Sequence, residues 1–211
     1  MLTILITLGP TRQYIDPVRF ISNASSGKMG NAIIKQALKK GFKVIAVKGP
    51  CNIDIKNKNC KVIDVITTEQ MFNAVKANLK TADIFIGAAA VADYTPIAIQ
   101  KNKIKKNDKI LNLKLKKTVD IISYVSKHKT KKQTVIGFAL ESKNLLSYAK
   151  DKLKKKKLDM IVANPTETIG SQFSKPVFIF KNGDIKKLKS ATKNYVAKEL
   201  IDEAIKIYGN Y

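Results

Sequence analysis

Histidine, cysteine, arginine and tryptophan are scarce in this chain of 211 residues, which holds one His, two Cys, two Arg and no Trp. The lone imidazole, His128, sits in a Lys-rich stretch and excludes nucleophilic triads built on a histidine base. Together with Cys51 and Cys60 it cannot complete a zinc-type ligand set, so no protein metal site is expected. The two thiols are expected to be free and inert. No apolar run approaches the ~20 helical residues that cross a bilayer. The start, MLTILITLGP, has neither a basic n-region nor a small-residue cleavage site. A cytoplasmic protein without a membrane partner is therefore expected, and the length predicts a single domain over residues 1–211.

What the chain has in excess is lysine. Forty basic residues against sixteen acidic ones give a formal charge of +24, which points to polyanionic partners, nucleic acid among them. An AT-rich coding background would also produce this, because the chain is rich in Asn and Ile and only Arg12 and Arg19 among its basic residues are not Lys. Both arginines fall in one short segment, where a planar fork for carboxylate or phosphate is a tool that lysine cannot supply.

Hydrophobic periodicity alternates between strand and helix. Residues 2–8, 42–47, 61–66, 83–91, 134–140 and 159–164 read as buried strands. Helices are expected after Ser25 and Ser26 up to Gly41, from Thr67 or Thr68 to about Leu79, near 119–127, over 145–156 and over 191–207. The first loop, from Gly9 to Gly30, and a basic stretch from Tyr94 to Asp108 read as irregular, with a further strand at 110–115. VFIF and IKKLK form a hairpin across Asn182-Gly183 at one sheet edge. The fold class is α/β: a Rossmann-like, mostly parallel sheet covered by helices on both faces, with a C-terminal β-hairpin addition.

In such sheets ligands sit beyond the carboxyl ends of the strands, so the loops starting at Gly9, Ala88, Phe138 and Ala163 should converge. Gly9, Gly27 and Gly30 lack dinucleotide-fingerprint spacing, and SGKMG fails as a P-loop because Ser22 and Met29 stand at its first Gly and Ser/Thr positions. Ser25, Ser26 and Gly27 still place free backbone N–H groups at a helix N-terminus, suited to an anion or to simple capping. The KNKIKK run (101–106) either gathers around a polyphosphate or is a solvated charge run. Tyr148 and Lys152 have the spacing of a dehydrogenase pair without the fingerprint that should accompany it. Amides, lysine and arginine remain as chemical tools, for orientation and charge neutralisation.

Five segments in order, GPTRQYIDPVRFISNASSGKMG (9–30), AAAVADY (88–94), KIKK (103–106), GFALES (137–142) and KLKKKKLDMIVAN (152–164), resemble phosphopantothenate-cysteine ligase, the phosphopantothenoylcysteine synthetase of coenzyme A biosynthesis. With Met1 abutting the first strand, the chain resembles the free-standing bacterial form, and a separate flavin-dependent decarboxylase is expected to act on the product. The resemblance implies a two-step ligation using CTP and Mg²⁺, without a flavin. The 4'-phosphopantothenate carboxylate attacks the α-phosphate to give an acyl-cytidylate and pyrophosphate, and the L-cysteine amine then displaces CMP. Asn23, Arg19 and Lys103 would be catalytic: Asn23 holding the acyl-nucleotide and its oxyanion, Arg19 supporting it by charge, Lys103 neutralising the triphosphate.

The nucleotide would lie on Gly87, Ala88, Ala89, Asp93, Lys103, Val119, Asp120, Ile121, Ile122, Phe138, Lys152 and Lys156. The other substrate would meet Arg19, Asn23, Ser25, Ser26, Gly27 and Ala90. The family's N-P-D-I is here Thr118-Val119-Asp120-Ile121, Ala24 replaces a frequent Arg, and Gln13 and Tyr14 stand where aliphatic or acidic residues are commoner. The family's homodimer is likewise expected. Side-chain identity does not distinguish cytosine from adenine, so CTP rests on the resemblance. Two other classes need features this chain lacks: an NAD(P)-dependent oxidoreductase a dinucleotide fingerprint, a nucleic-acid-binding module stacking aromatics beside its lysines.

Overall fold

The computed structural model describes residues 1–106, 110–166, 171 and 173–210. An eight-stranded sheet organises it, in the order β13-β12-β10-β9-β6-β1-β4-β5. The strands are β1 (Thr3–Leu8), β4 (Lys43–Lys48), β5 (Cys60–Asp64), β6 (Ile84–Gly87), β9 (Thr134–Glu141), β10 (Met160–Pro165), β12 (Val177–Phe180) and β13 (Ile185–Lys187). β10, β9, β6, β1, β4 and β5 are mutually parallel, and β12 and β13 add antiparallel at the edge. The doubly covered sheet and its hairpin are as the sequence predicts.

Alternation along β1 explains why its run is apolar on both sides. Ile4, Ile6 and Leu8 pack with Ile33 and Ile34 of α1 (Lys28–Lys39) and with Leu200 and Ile201 of α5 (Lys193–Gly209). Leu5 points the other way, into a core shared with Met71 of α2 (Thr68–Asn78), Val125 of α3 (Ile121–His128) and Leu153 of α4 (Leu145–Lys155). Chain order along the sheet reverses between β1 and β6, which is where ligands enter such folds.

Three expectations are corrected. The first loop contains a hairpin, β2 (Arg12–Tyr14) and β3 (Phe20–Ser22), closed around Asp16. The strand expected at 83–91 ends at Gly87; Ala88–Val91 leaves the ladder but stays beside residues 7–11 through Ala90 N–H to Gly9 O (2.9 Å) and one bridge to Pro10. The strand expected at 110–115 shrinks to β8 (Leu115–Lys117), paired with β7 (Tyr94–Pro96) inside the stretch read as irregular. Ile110, Leu111 and Leu113 are exposed and bury no face that would hold a strand in register. Residues 107–109, where that stretch ends, lie outside the described residues.

Thr67 caps α2 in a reciprocal capping box with Gln70. The start of α1 is different. Its N-cap is Gly27 at φ +70°, without a side-chain cap, so neither Ser25 nor Ser26 serves as the cap. A Cβ on Gly27 would stand 2.9 Å from Cys51 Sγ, and one on Gly30 2.4 Å from Leu8 Cβ, so both glycines are required for α1 to begin hard against the end of β1.

Candidate active site

The loops after β1 and β6 converge with the carboxyl-terminal ends of β9 and β10, where Phe138 and Asn164 are still in the strands, on a cleft of about 940 Å³. The N-terminal end of α1 forms one wall. Asn31 N–H makes the first intrahelical bond, to Gly27 O at 3.0 Å, so among the described residues the amides of Lys28, Met29 and Gly30 have no main-chain acceptor and face the cleft. The opposite wall is the N-terminus of α3, capped by Asp120, whose carboxylate accepts Ser123 N–H (3.1 Å) and Ser123 O–H (2.8 Å). Lys156, just past α4, completes that corner through an ion pair with Asp120 at 2.9 Å. Burial raises the Asp120 pKa, but the bonds from Lys156 and Ser123 outweigh it and leave the group below the ordinary aspartate range.

Lys152 faces the same region one helical turn back and donates to Phe138 O at 2.8 Å. Burial and then the neighbouring Lys156 charge push its pKa down, against the pull of Glu141, Asp93 and Asp120. Lys193, the first residue of α5, is lowered too, by burial and by Lys28 across the cleft. Among the described residues, five lysines (28, 117, 152, 156 and 193) against Asp93 and Asp120 line the cavity, a balance suited to an anion.

Between these walls runs Ala88–Asp93. Asn23 Nδ2 donates to Ala90 O (3.2 Å) and Val91 O (3.0 Å), spending both its amide hydrogens on this segment. From behind, buried Thr11 and Thr68 hydroxyls lie 3.0 Å apart, Gln13 Nε2 donates to Thr68 (2.7 Å), and Ala92 N–H donates to Thr11 Oγ1 (2.9 Å). Thr118 O–H reaches Ala92 O at 2.7 Å. Gln13, one of the departures from the family pattern, thus belongs to the buried support of the site.

Of the residues singled out from sequence, Asn23, Ser25, Ser26, Gly27, Gly87–Ala90, Asp93, Val119–Ile122, Phe138, Lys152 and Lys156 all line this cleft. Arg19 and Lys103 do not. Arg19 pairs with Asp16 at 2.8 Å and donates twice to Ile104 O at 3.3 Å, while Lys103 is exposed on the adjoining segment. Sequence reasoning missed Lys28, Lys193 and the buried Ser174–Asn164 pair, whose oxygens are 2.5 Å apart. Lys193 had one usable signal, its place directly after Thr192, the N-cap of α5. Among the described residues no group of three His, Cys, Asp or Glu gathers as a metal site, and no helix is long and apolar enough to cross a membrane.

Residues 1–208 match the family model described as the DNA/pantothenate metabolism flavoprotein C-terminal domain. The chain belongs to this family. It is 43% identical over 210 residues to the coenzyme A biosynthesis bifunctional protein CoaBC of Haemophilus influenzae, covering 98% of this chain and 52% of that protein. The CoaBC of Borreliella burgdorferi is 44% identical over 201 residues, 94% of this chain and 51% of its own length. The chain therefore spans about half the length of the curated relatives it matches. The crystal structure of the C-terminal domain of a CoaBC superposes at TM-score 0.86 with 36% identity, covering 100% of this chain and 97% of that one. A Cab2 mutant in complex with phosphopantothenate-cysteine, at 21% identity and TM-score 0.79, shares the fold.

Proposed function

We propose that this chain is the ligase that joins 4'-phosphopantothenate to L-cysteine at the expense of CTP. The observation that carries this reading is the lysine-rich cleft between two helix N-termini, in which four of the five family-matched segments line one cavity, 103–106 lying outside it. The nucleotide lies toward Phe138, Lys152, Lys156 and Asp120, and the anionic pantothenate substrate toward α1 and Asn23. In the first step a carboxylate oxygen attacks the α-phosphorus and pyrophosphate leaves. Lysine charge offsets what accumulates on the leaving group. In the second step the cysteine amine attacks the acyl carbon, loses a proton, and expels CMP. Of the two Asn23 bonds, the longer one to Ala90 is the one a developing oxyanion would replace.

Mg²⁺ would arrive with the nucleotide and supply charge neutralisation beside the cleft lysines, and no flavin is expected to take part. A separate decarboxylase would consume the product. We further expect one domain and a homodimer. The connections of the β2–β3 and β7–β8 ribbons carry Val18, Ile97, Ile99 and Leu111, each more than half exposed, and apolar side chains left open in this way suit burial against a second copy. Pyrophosphate release with each nucleoside triphosphate in turn tests the reading: it is expected with CTP only when phosphopantothenate is present, and its absence would overturn the assignment.

A further inference from the structure

Asp16 is a completely buried carboxylate in a chain with few acids. Both its oxygens are fully engaged. Oδ1 accepts the amides of Val18 (2.8 Å) and Arg19 (2.7 Å), closing the β2–β3 turn on itself. Oδ2 accepts the Arg19 guanidinium (2.8 Å) and, from 88 positions away, the amide of Ile104 (3.2 Å). Arg19 NH1 and NH2 both return to Ile104 O at 3.3 Å. Ile104 is thus held at its N–H and its C=O by one ion pair, and it is the one residue between Gln100 and Lys106 that is not exposed. Gln100 N–H adds a bond to Ile15 O, from the same turn (2.9 Å).

Lys103 precedes Ile104. We infer that Asp16 is a positioning residue that, with Arg19, clamps Ile104 and thereby fixes where the backbone presents Lys103. This rests on the ligase reading and on the role that the family resemblance implies for Lys103, neutralising the triphosphate. It explains why the chain has arginine at 19: only a planar fork can bind the Asp16 carboxylate and the Ile104 carbonyl together. It also makes Arg19 act through the Lys103 segment, since Arg19 is not among the residues that line the cleft.

Asp16→Asn is the sharpest substitution, because an amide has one acceptor oxygen and must turn its NH₂ toward donors on one side or the other. Two readouts separate the clamp from the reaction. Amide exchange at Ile104, followed by mass spectrometry on the whole chain, is expected to speed up by about tenfold or more while the central strands remain protected. Pyrophosphate release is expected to fall roughly 10- to 100-fold, as for a misplaced charge. Adding Lys103→Gln to Asp16→Asn should cost no more than Lys103→Gln alone, since both remove the same placed charge. Should Asp16→Asn fail to fold, Arg19→Lys, which keeps the charge and loses the fork, takes its place with the same expectations. Unchanged exchange at Ile104 in the folded variant overturns the clamp whatever the reaction proves to be. Faster exchange with losses that multiply in the double variant would show that Asp16 holds the segment without placing Lys103, and would overturn the positioning role.

Discussion

Lys156 reaches across from the end of α4 to Asp120 at the start of α3, 2.9 Å away, so one ion pair closes the end of the cleft proposed for the nucleotide. Its stabilising effect is small because both partners are partly solvated, about 1 kcal/mol or less. Lys156→Met is accordingly expected to shift urea unfolding little but to weaken CTP binding about tenfold, read by calorimetric titration. Asp120→Ala removes a helix cap and should cost about 1 kcal/mol of stability.

Lys152 supplies a pH signature. Its pKa lies below the ordinary lysine value of 10.5 because burial and Lys156 disfavour the ammonium. As pH rises through the depressed value, Lys152 becomes neutral and affinity for the triphosphate falls before an ordinary lysine would titrate. Stability moves the opposite way: the unfolded chain binds the proton more tightly, so this residue's contribution to unfolding free energy rises with pH up to the ordinary value. Binding curves recorded across alkaline pH should lose this early limb in Lys152→Gln.

Gly27→Ala and Gly41→Ala separate conformation from contact. Both positions are left-handed, at φ +70° and +79°, and each substitution should cost about 1 kcal/mol on that account. Gly41 has open space around it, whereas at Gly27 the new carbon meets Cys51 and Ile53 at 2.9 and 3.0 Å. Denaturant titration should show the larger loss at Gly27, about 2 kcal/mol or more, accompanied by weakened anion binding at α1.

Much of this was legible in the sequence where burial is continuous. LTILITL, TVIGFAL and DMIVAN bury both faces and read as strands without help from context. The ribbons β2–β3 and β7–β8 did not, because their strands are only three residues long and carry no apolar alternation, and β7–β8 is held by long-range bonds such as Ile97 N–H to Lys114 O that no local periodicity records. For the site, four of the five family-matched segments contribute lining residues, among them Asn23, Asp93, Phe138 and Lys152. Lys28 and Lys193 escaped because they are two among 38 lysines, and it is topology, joining the first helix to the last, that sets them on one cavity. The link between Arg19 and the Lys103 segment escaped for a similar reason: Asp16 Oδ2 and the Ile104 amide are 88 positions apart.

Lys103→Gln tests the charge run itself. It should slow pyrophosphate release by roughly 10²-fold, about 2.7 kcal/mol of barrier, whereas Lys101→Gln should do little. Equal small losses at both would mean a solvated run.

Asn23→Asp replaces two donated bonds with carboxylate oxygens facing Ala90 O and Val91 O. The variant is expected to fold, to release pyrophosphate once, and to stall before CMP release, because a carboxylate cannot donate to the oxyanion that develops as the cysteine amine attacks and repels it instead. Rapid-quench product analysis would distinguish this from normal turnover.

The central claim is activation of the carboxylate on the α-phosphate, and heavy-oxygen labelling of the phosphopantothenate carboxylate tests it most directly. After reaction with CTP and cysteine, mass analysis of the nucleotide product should find CMP carrying one labelled oxygen from the carboxylate. Label in inorganic phosphate, with CDP as the nucleotide product, or unlabelled CMP, would contradict the account.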